Sequence, residues 1–132
     1  MSDDRVKCFL LEPTGREREW TADGGGTCSA PIYRRKDTGE EMEFKDAPAG
    51  AMVRFPWGLT VKLPNGRSWN IDGECNNCTR KGDRSHRCWC RHGEPPDITV
   101  NKQGCETCAA GGGSIQAGDY HGMLEDGFLR RV

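Results

Sequence analysis

Residues 72 to 118 of this 132-residue chain are dominated by Gly, Asn, Asp, Ser, Pro and Cys, and the strand-like run among them is the short "DITV" of 97 to 100. Ordering a stretch of this kind costs roughly 1–2 kcal/mol per residue in backbone entropy, and it carries too little apolar side-chain area to offset that. Six of the chain's eight cysteines fall inside it, at Cys75, Cys78, Cys88, Cys90, Cys105 and Cys108. Something other than greasy packing must hold the segment, and the thiols are what it has.

Their spacing favours a metal. Cys75-x2-Cys78 and Cys105-x2-Cys108 are two knuckles, each able to present both sulfurs to one ion, and together they complete a four-thiolate tetrahedron with Zn–S near 2.3 Å. Such a site contributes on the order of 10 kcal/mol in small zinc peptides, enough to order the loops around it. Cys88, Cys90, His92 and His121 are the candidates for a second site. A rival single site draws on Cys78, Cys88, Cys108 and His121. Zinc is the expected ion in each case, with disulfides as the competing use of an even number of cysteines. Cys8 alternates with Val6 and Leu10, which suits a small buried hydrophobe, and Cys28 stands beside a glycine-rich loop.

The rest of the composition fits a thin core supplemented by cross-links. Ile, Leu, Val and Phe make up 19 of 132 residues, about 14% against the roughly 20% of a chain that packs well. Net charge is −1, so neither a disordered acidic chain nor a global basic field for nucleic acid is indicated. The N-terminal "MSDDRVKCFLLEPTGRERE" lacks the apolar run and small-residue cleavage site of a secretory signal, and no stretch approaches the ~18 apolar residues of a membrane span. The expectation is a protein made in a reducing cytoplasm with no membrane partner, where clustered thiols bind metal more often than they pair.

Helical periodicity is absent, and short alternating runs broken by turn dipeptides recur. "EPTGRE" reads as a turn before "REREW". "IYRRK" and "EEMEF" flank "DTG". "LTVKL" and "RSWNI" flank "PNG", where Asn65-Gly66 suits a type I′ turn. "YHGML" and "FLRRV" flank "EDG". The expected fold is mostly β, built of short antiparallel hairpins: a β-hairpin region over 1–71 and a Cys/His-rich loop segment over 72–132 closing on a C-terminal hairpin, the two forming one compact domain.

No catalytic constellation emerges. His92-Gly93-Glu94 followed by Cys105-x2-Cys108 is close to the zinc-deaminase pattern, in which a His and two Cys hold zinc and a Glu moves protons. Here Pro95 and Pro96 stand in the gap between the two halves, which is too short for a helix, and Gly104 rather than proline precedes Cys105. A Cys/His nucleophile built from Cys88 or Cys90 with His86 or His92 competes with metal ligation for the same sulfurs. Arg80, Lys81, Arg84, Arg87 and Arg91 form a basic stretch around Trp89. Contact with single-stranded nucleic acid is one use for it; offsetting the −2 charge of a four-thiolate zinc site is the plainer one.

"FLLEPTGR", "YRRKDTGEEMEFKDAPAGAM", "VKLPNGRSWNIDG", "CWCRHGEPP" and "GDYHGMLEDG" resemble a family of small proteins encoded by tailed phages and prophages, over nearly the whole chain. The resemblance implies cysteines at the positions of Cys78, Cys88 and Cys108 and a histidine at His121 as the family's set, and it brings no known reaction. It makes Cys75, Cys90 and Cys105 additions in this chain. The expectation is therefore a non-enzymatic, zinc-binding structural or interaction protein whose partner is a protein, including other virion subunits. The alternatives are a virion component, of decoration or collar type, held by disulfides, and a binder of single-stranded nucleic acid or of a host factor.

Overall fold

The computed structural model describes residues 5–75, 78–108 and 113–132. Among the described residues, twelve strands and one short 3-10 turn make up the regular structure, so the chain is mostly β. The strands are β1 (Val6–Lys7), β2 (Phe9–Thr21), β3 (Thr27–Arg35), β4 (Glu41–Met42), β5 (Ala51–Phe55), β6 (Gly58–Lys62), β7 (Ser68–Asn70), β8 (Cys90–His92), β9 (Thr99–Asn101), β10 (Ile115–Ala117), β11 (Tyr120–Glu125) and β12 (Phe128–Arg131), with the 3-10 turn at Phe44–Asp46. They form two six-stranded sheets. One runs β4-β3-β2-β5-β6-β7, and the other β1-β12-β11-β9-β8 with β10 beside β11. Between these strands the pairings are antiparallel except β2 with β5, where Phe9 faces Ala51 and Leu10 faces Met52.

The run Phe9-Leu10-Leu11 is buried throughout because both faces of its sheet are covered. Leu10 joins Met52, Leu59, Val61, Leu63 and Ile71 in a cluster with Ile98, Val100, Ile115, Tyr120, Leu124 and Leu129 of the second sheet. Phe9 and Leu11 point the other way with Ala51 and Val53, and pack with Tyr33 and Ala47. Residues before and after position 72 thus share one core. Cys75, Cys78, Cys88, Cys108 and Trp89 belong to that same cluster, so the sulfurs extend the core rather than sit apart from it.

Two expected turns differ. "EPTGRE" does not reverse the chain: β2 continues through it, with a register irregularity between Pro13 and Glu17 and Gly15 at φ 82°. The proline's missing N–H and the permissive glycine are absorbed as a bulge inside a long strand. At "PNG", Leu63 donates its N–H to the Arg67 carbonyl and Gly66 donates to that of Leu63, enclosing a three-residue loop with Gly66 at φ 86°. A two-residue Asn-Gly turn would place Pro64 in the ladder, where it has no N–H to give. The type I′ geometry occurs instead at Asp126 (φ 50°) and Gly127 (φ 80°), which join β11 to β12.

The "GDYHG" stretch acquires a steric reason. Tyr120 is fully buried, and a Cβ on Gly122 would collide with the Tyr120 hydroxyl and the Arg130 carbonyl. Only a hydrogen fits there.

Candidate metal centre

Four sulfurs converge. The Sγ atoms of Cys75, Cys78, Cys88 and Cys108 all lie within 4.8 Å of one another, and all four residues are buried, with exposures of 8, 9, 5 and 3%. Cys75 Sγ and Cys108 Sγ are 3.6 Å apart across 33 residues of sequence. A tetrahedron with metal–sulfur bonds of 2.3 Å has edges of roughly 3.8 Å, so the donor set fits a thiophilic divalent ion after small shifts. With four protein ligands the site is closed and leaves no coordination position for a substrate.

Local structure places each ligand. Cys75 and Cys78 close a turn through the Cys78 N–H to the Cys75 carbonyl (3.3 Å), and the Arg80 N–H points at Cys78 Sγ (3.4 Å). Cys88 immediately precedes Trp89 and β8. Cys108 ends a segment held to that region by the Arg87 N–H donating to the Glu106 carbonyl and by a bridge between Arg87 and Thr107. Asp72 ties the cysteine segment to the first sheet: its Oδ2 accepts the Leu59 N–H at 2.9 Å, and its Oδ1 lies 3.4 Å from Arg91 and 3.7 Å from Arg87.

Polar neighbours suit thiolates. His86 is buried, with Nε2 3.3 Å from Cys78 Sγ and 3.7 Å from Cys88 Sγ. The Lys102 ammonium lies 3.4 Å from Cys108 Sγ and 4.0 Å from Cys75 Sγ. Burial pushes the Cys88 thiol up to about 12 and raises that of Cys75, with hydrogen bonds among the cysteines adding to the effect in part. Metal-free, Cys75 and Cys88 are therefore thiols, and a bound divalent ion must displace their protons.

The remaining sequence candidates lie elsewhere. Cys90 and Cys105 form a disulfide with each other. His92 Nε2 is 2.9 Å from Asn101 Oδ1, and His121 Nε2 is 3.0 Å from Ser114 Oγ; both histidines are exposed. The structure thus gathers Cys75, Cys78 and Cys108 of the two-knuckle allocation, but Cys88 stands where Cys105 was expected. It also gathers Cys78, Cys88 and Cys108 of the rival set, with Cys75 in place of His121. Cys88, Cys90, His92 and His121 do not meet as a second site. Six cysteines, Cys8 and Cys28 among them, are outside any disulfide.

Sequence reasoning paired His86 with Cys88 or Cys90 only as a nucleophile and did not place it beside a metal site, and it missed Lys102 as a neighbour of the sulfurs. The position of His86 two residues before Cys88 was a usable signal; a lone lysine six residues before Cys108 was not. Three of the four arginines expected to offset the thiolate charge are engaged with carboxylates: Arg80 with Asp83 (2.8 Å) and Glu106 (2.9 Å), Arg87 and Arg91 with Asp72. Trp89 is buried, edge-on to Trp69 at 4.9 Å between ring centres, so it offers no open face for a base.

A separate apolar hollow of about 660 Å³ lies on the first sheet, lined in part by Trp20, Tyr33, Phe44, Phe55 and Trp57. Trp57 stacks on Phe55 at 4.6 Å yet is 64% exposed. No described helix is long and apolar enough to cross a membrane. No protein-family model, curated protein or solved structure matches the chain.

Proposed function

We propose that this is a non-enzymatic, zinc-stabilised protein that acts through contacts with other proteins, of the kind encoded by the tailed phages and prophages whose motifs it resembles. The observation that carries the proposal is the closed set of four buried sulfurs at Cys75, Cys78, Cys88 and Cys108. All-sulfur donation favours zinc over magnesium, calcium or manganese, which take oxygen ligands. A closed tetrahedron supports a structural rather than catalytic ion. The exposed aromatic surface around Trp57 and Trp20 supports the protein-contact part, because aromatic side chains are enriched where proteins meet. Metal analysis of protein purified without chelator, followed by circular dichroism during chelation, tests the proposal. It expects one zinc per chain and loss of ordered structure as zinc is withdrawn; a chain that holds no zinc and is indifferent to chelator refutes it.

A second reading, a virion component locked by oxidised thiols, draws support from the Cys90–Cys105 disulfide. Mass spectrometry of protein taken from particles and from cells distinguishes the two, since this reading requires disulfides beyond that pair in the particle.

A further inference from the structure

The Cys90–Cys105 disulfide lies in the wall of a cavity of about 470 Å³, shared with Arg54, Arg87, Arg91, His92, Glu94 and Gly104. Its two sulfurs are unequally placed: Cys105 is exposed, while Cys90 is only 4% exposed. Three guanidinium groups face the cavity against the Glu94 carboxylate and against Asp72, which Arg87 and Arg91 share. The balance is positive. The His92 ring packs directly over Gly104, where a Cβ would meet its Cε1 at 2.9 Å. Neither cysteine of this pair is among the four converging sulfurs, so the feature is independent of the metal reading.

We infer that this cavity is a site for a small anionic thiol, which exchanges with the disulfide at Cys105. The thiolate of the incoming molecule attacks Cys105 Sγ and a new S–S bond forms there. The old S–S bond breaks with its electron pair going to Cys90, which leaves as a thiolate and takes a proton from water. A second molecule of the same thiol attacking the adduct frees Cys105 and departs as the small-molecule disulfide. Two thiols are thereby oxidised and one protein disulfide reduced, with atoms and electrons balanced. Attack falls on Cys105 because access, together with the thiolate character of the attacker, governs such exchange. The arginines recruit the anion by charge and by bidentate contact with carboxylates.

The test uses the full chain, with glutathione (two carboxylates) and cysteamine (an ammonium) as probes, each corrected for its thiolate fraction. Reactions are quenched with acid and the adduct is located by peptide mass spectrometry. Two unit charges of difference at about 6 Å in water correspond to about a tenfold preference for glutathione at low salt, shrinking toward none near 1 M salt as the charges are screened. The adduct is expected on Cys105. Arg54→Gln is expected to reduce the preference severalfold; should that variant fold poorly, the salt series on the unaltered chain decides alone. Equal or faster reaction with cysteamine, a preference indifferent to salt, an adduct on Cys90, or no adduct at all overturns the inference. Zinc measured in the same samples keeps this outcome separate from the fate of the metal reading.

Discussion

The Lys102 ammonium sits 3.4 Å from Cys108 Sγ and 4.9 Å above the centre of the Trp89 ring. One side chain therefore serves both a sulfur and a buried aromatic face. A zinc ion on four thiolates leaves a −2 charge, and the Lys102 side chain brings a positive charge to two of the sulfurs, those of Cys75 and Cys108. Replacing it by Met keeps the length and removes the charge. Lys102→Met is expected to weaken zinc affinity by about tenfold at low salt, as loss of one charge-assisted hydrogen bond implies, and by less at high salt. Competition against a chromophoric chelator measures it.

Thiol counting gives a second expectation. Denatured in alkylating reagent after metal removal and without reductant, the chain should take up label at Cys8, Cys28, Cys75, Cys78, Cys88 and Cys108, and none at Cys90 or Cys105. Peptide mapping reads this directly. Label on Cys90 and Cys105 in unreduced protein would contradict the pairing.

Cys8 supplies a pH dependence away from the metal. Burial, opposed by Lys7 and reinforced by Asp97, pushes its thiol up to about 12. Because the folded-state value is raised, the stability this group contributes is full below its ordinary value of 9.0. That contribution is lost as pH rises from there toward 12, at about 1.4 kcal/mol per pH unit. Urea unfolding at pH 8 and pH 10.5 should show a smaller alkaline loss in Cys8→Ala than in the unaltered chain, although the variant starts from lower stability.

Gly122→Ala is expected to destabilise by about 1–3 kcal/mol, the usual cost of forcing a methyl group into a filled site. The Tyr120 hydroxyl and Arg130 carbonyl stand where it would go. Gly26, which has open space and no left-handed φ, should accept Ala within about 0.5 kcal/mol. Parallel denaturant titrations compare the two.

The hairpins were legible in the sequence where alternation and turn chemistry agreed. Leu59, Val61 and Leu63 alternate into the core as their pattern dictates, and the Asp126-Gly127 turn falls between the two runs that flank it. Pro13 and Pro64 defeated local reading for one reason: a missing N–H reshapes a ladder, and what replaces it depends on the partner strand. The metal centre was half legible. The Cys75-x2-Cys78 knuckle is a local turn and shows in its spacing, whereas the choice of Cys88 over Cys105 is set by which cysteine the fold turns inward. Cys88 is 5% exposed and Cys105 faces solvent. No spacing rule carries that information, because it depends on how the second sheet seats β8 and β9.

Zinc K-edge X-ray absorption of the reconstituted chain measures the central claim most directly. Four sulfur scatterers near 2.3 Å, with no imidazole signature, are the expected result for an ion among Cys75, Cys78, Cys88 and Cys108. A shell containing one or more nitrogens near 2.0 Å, or a chain that retains no zinc to measure, would contradict it.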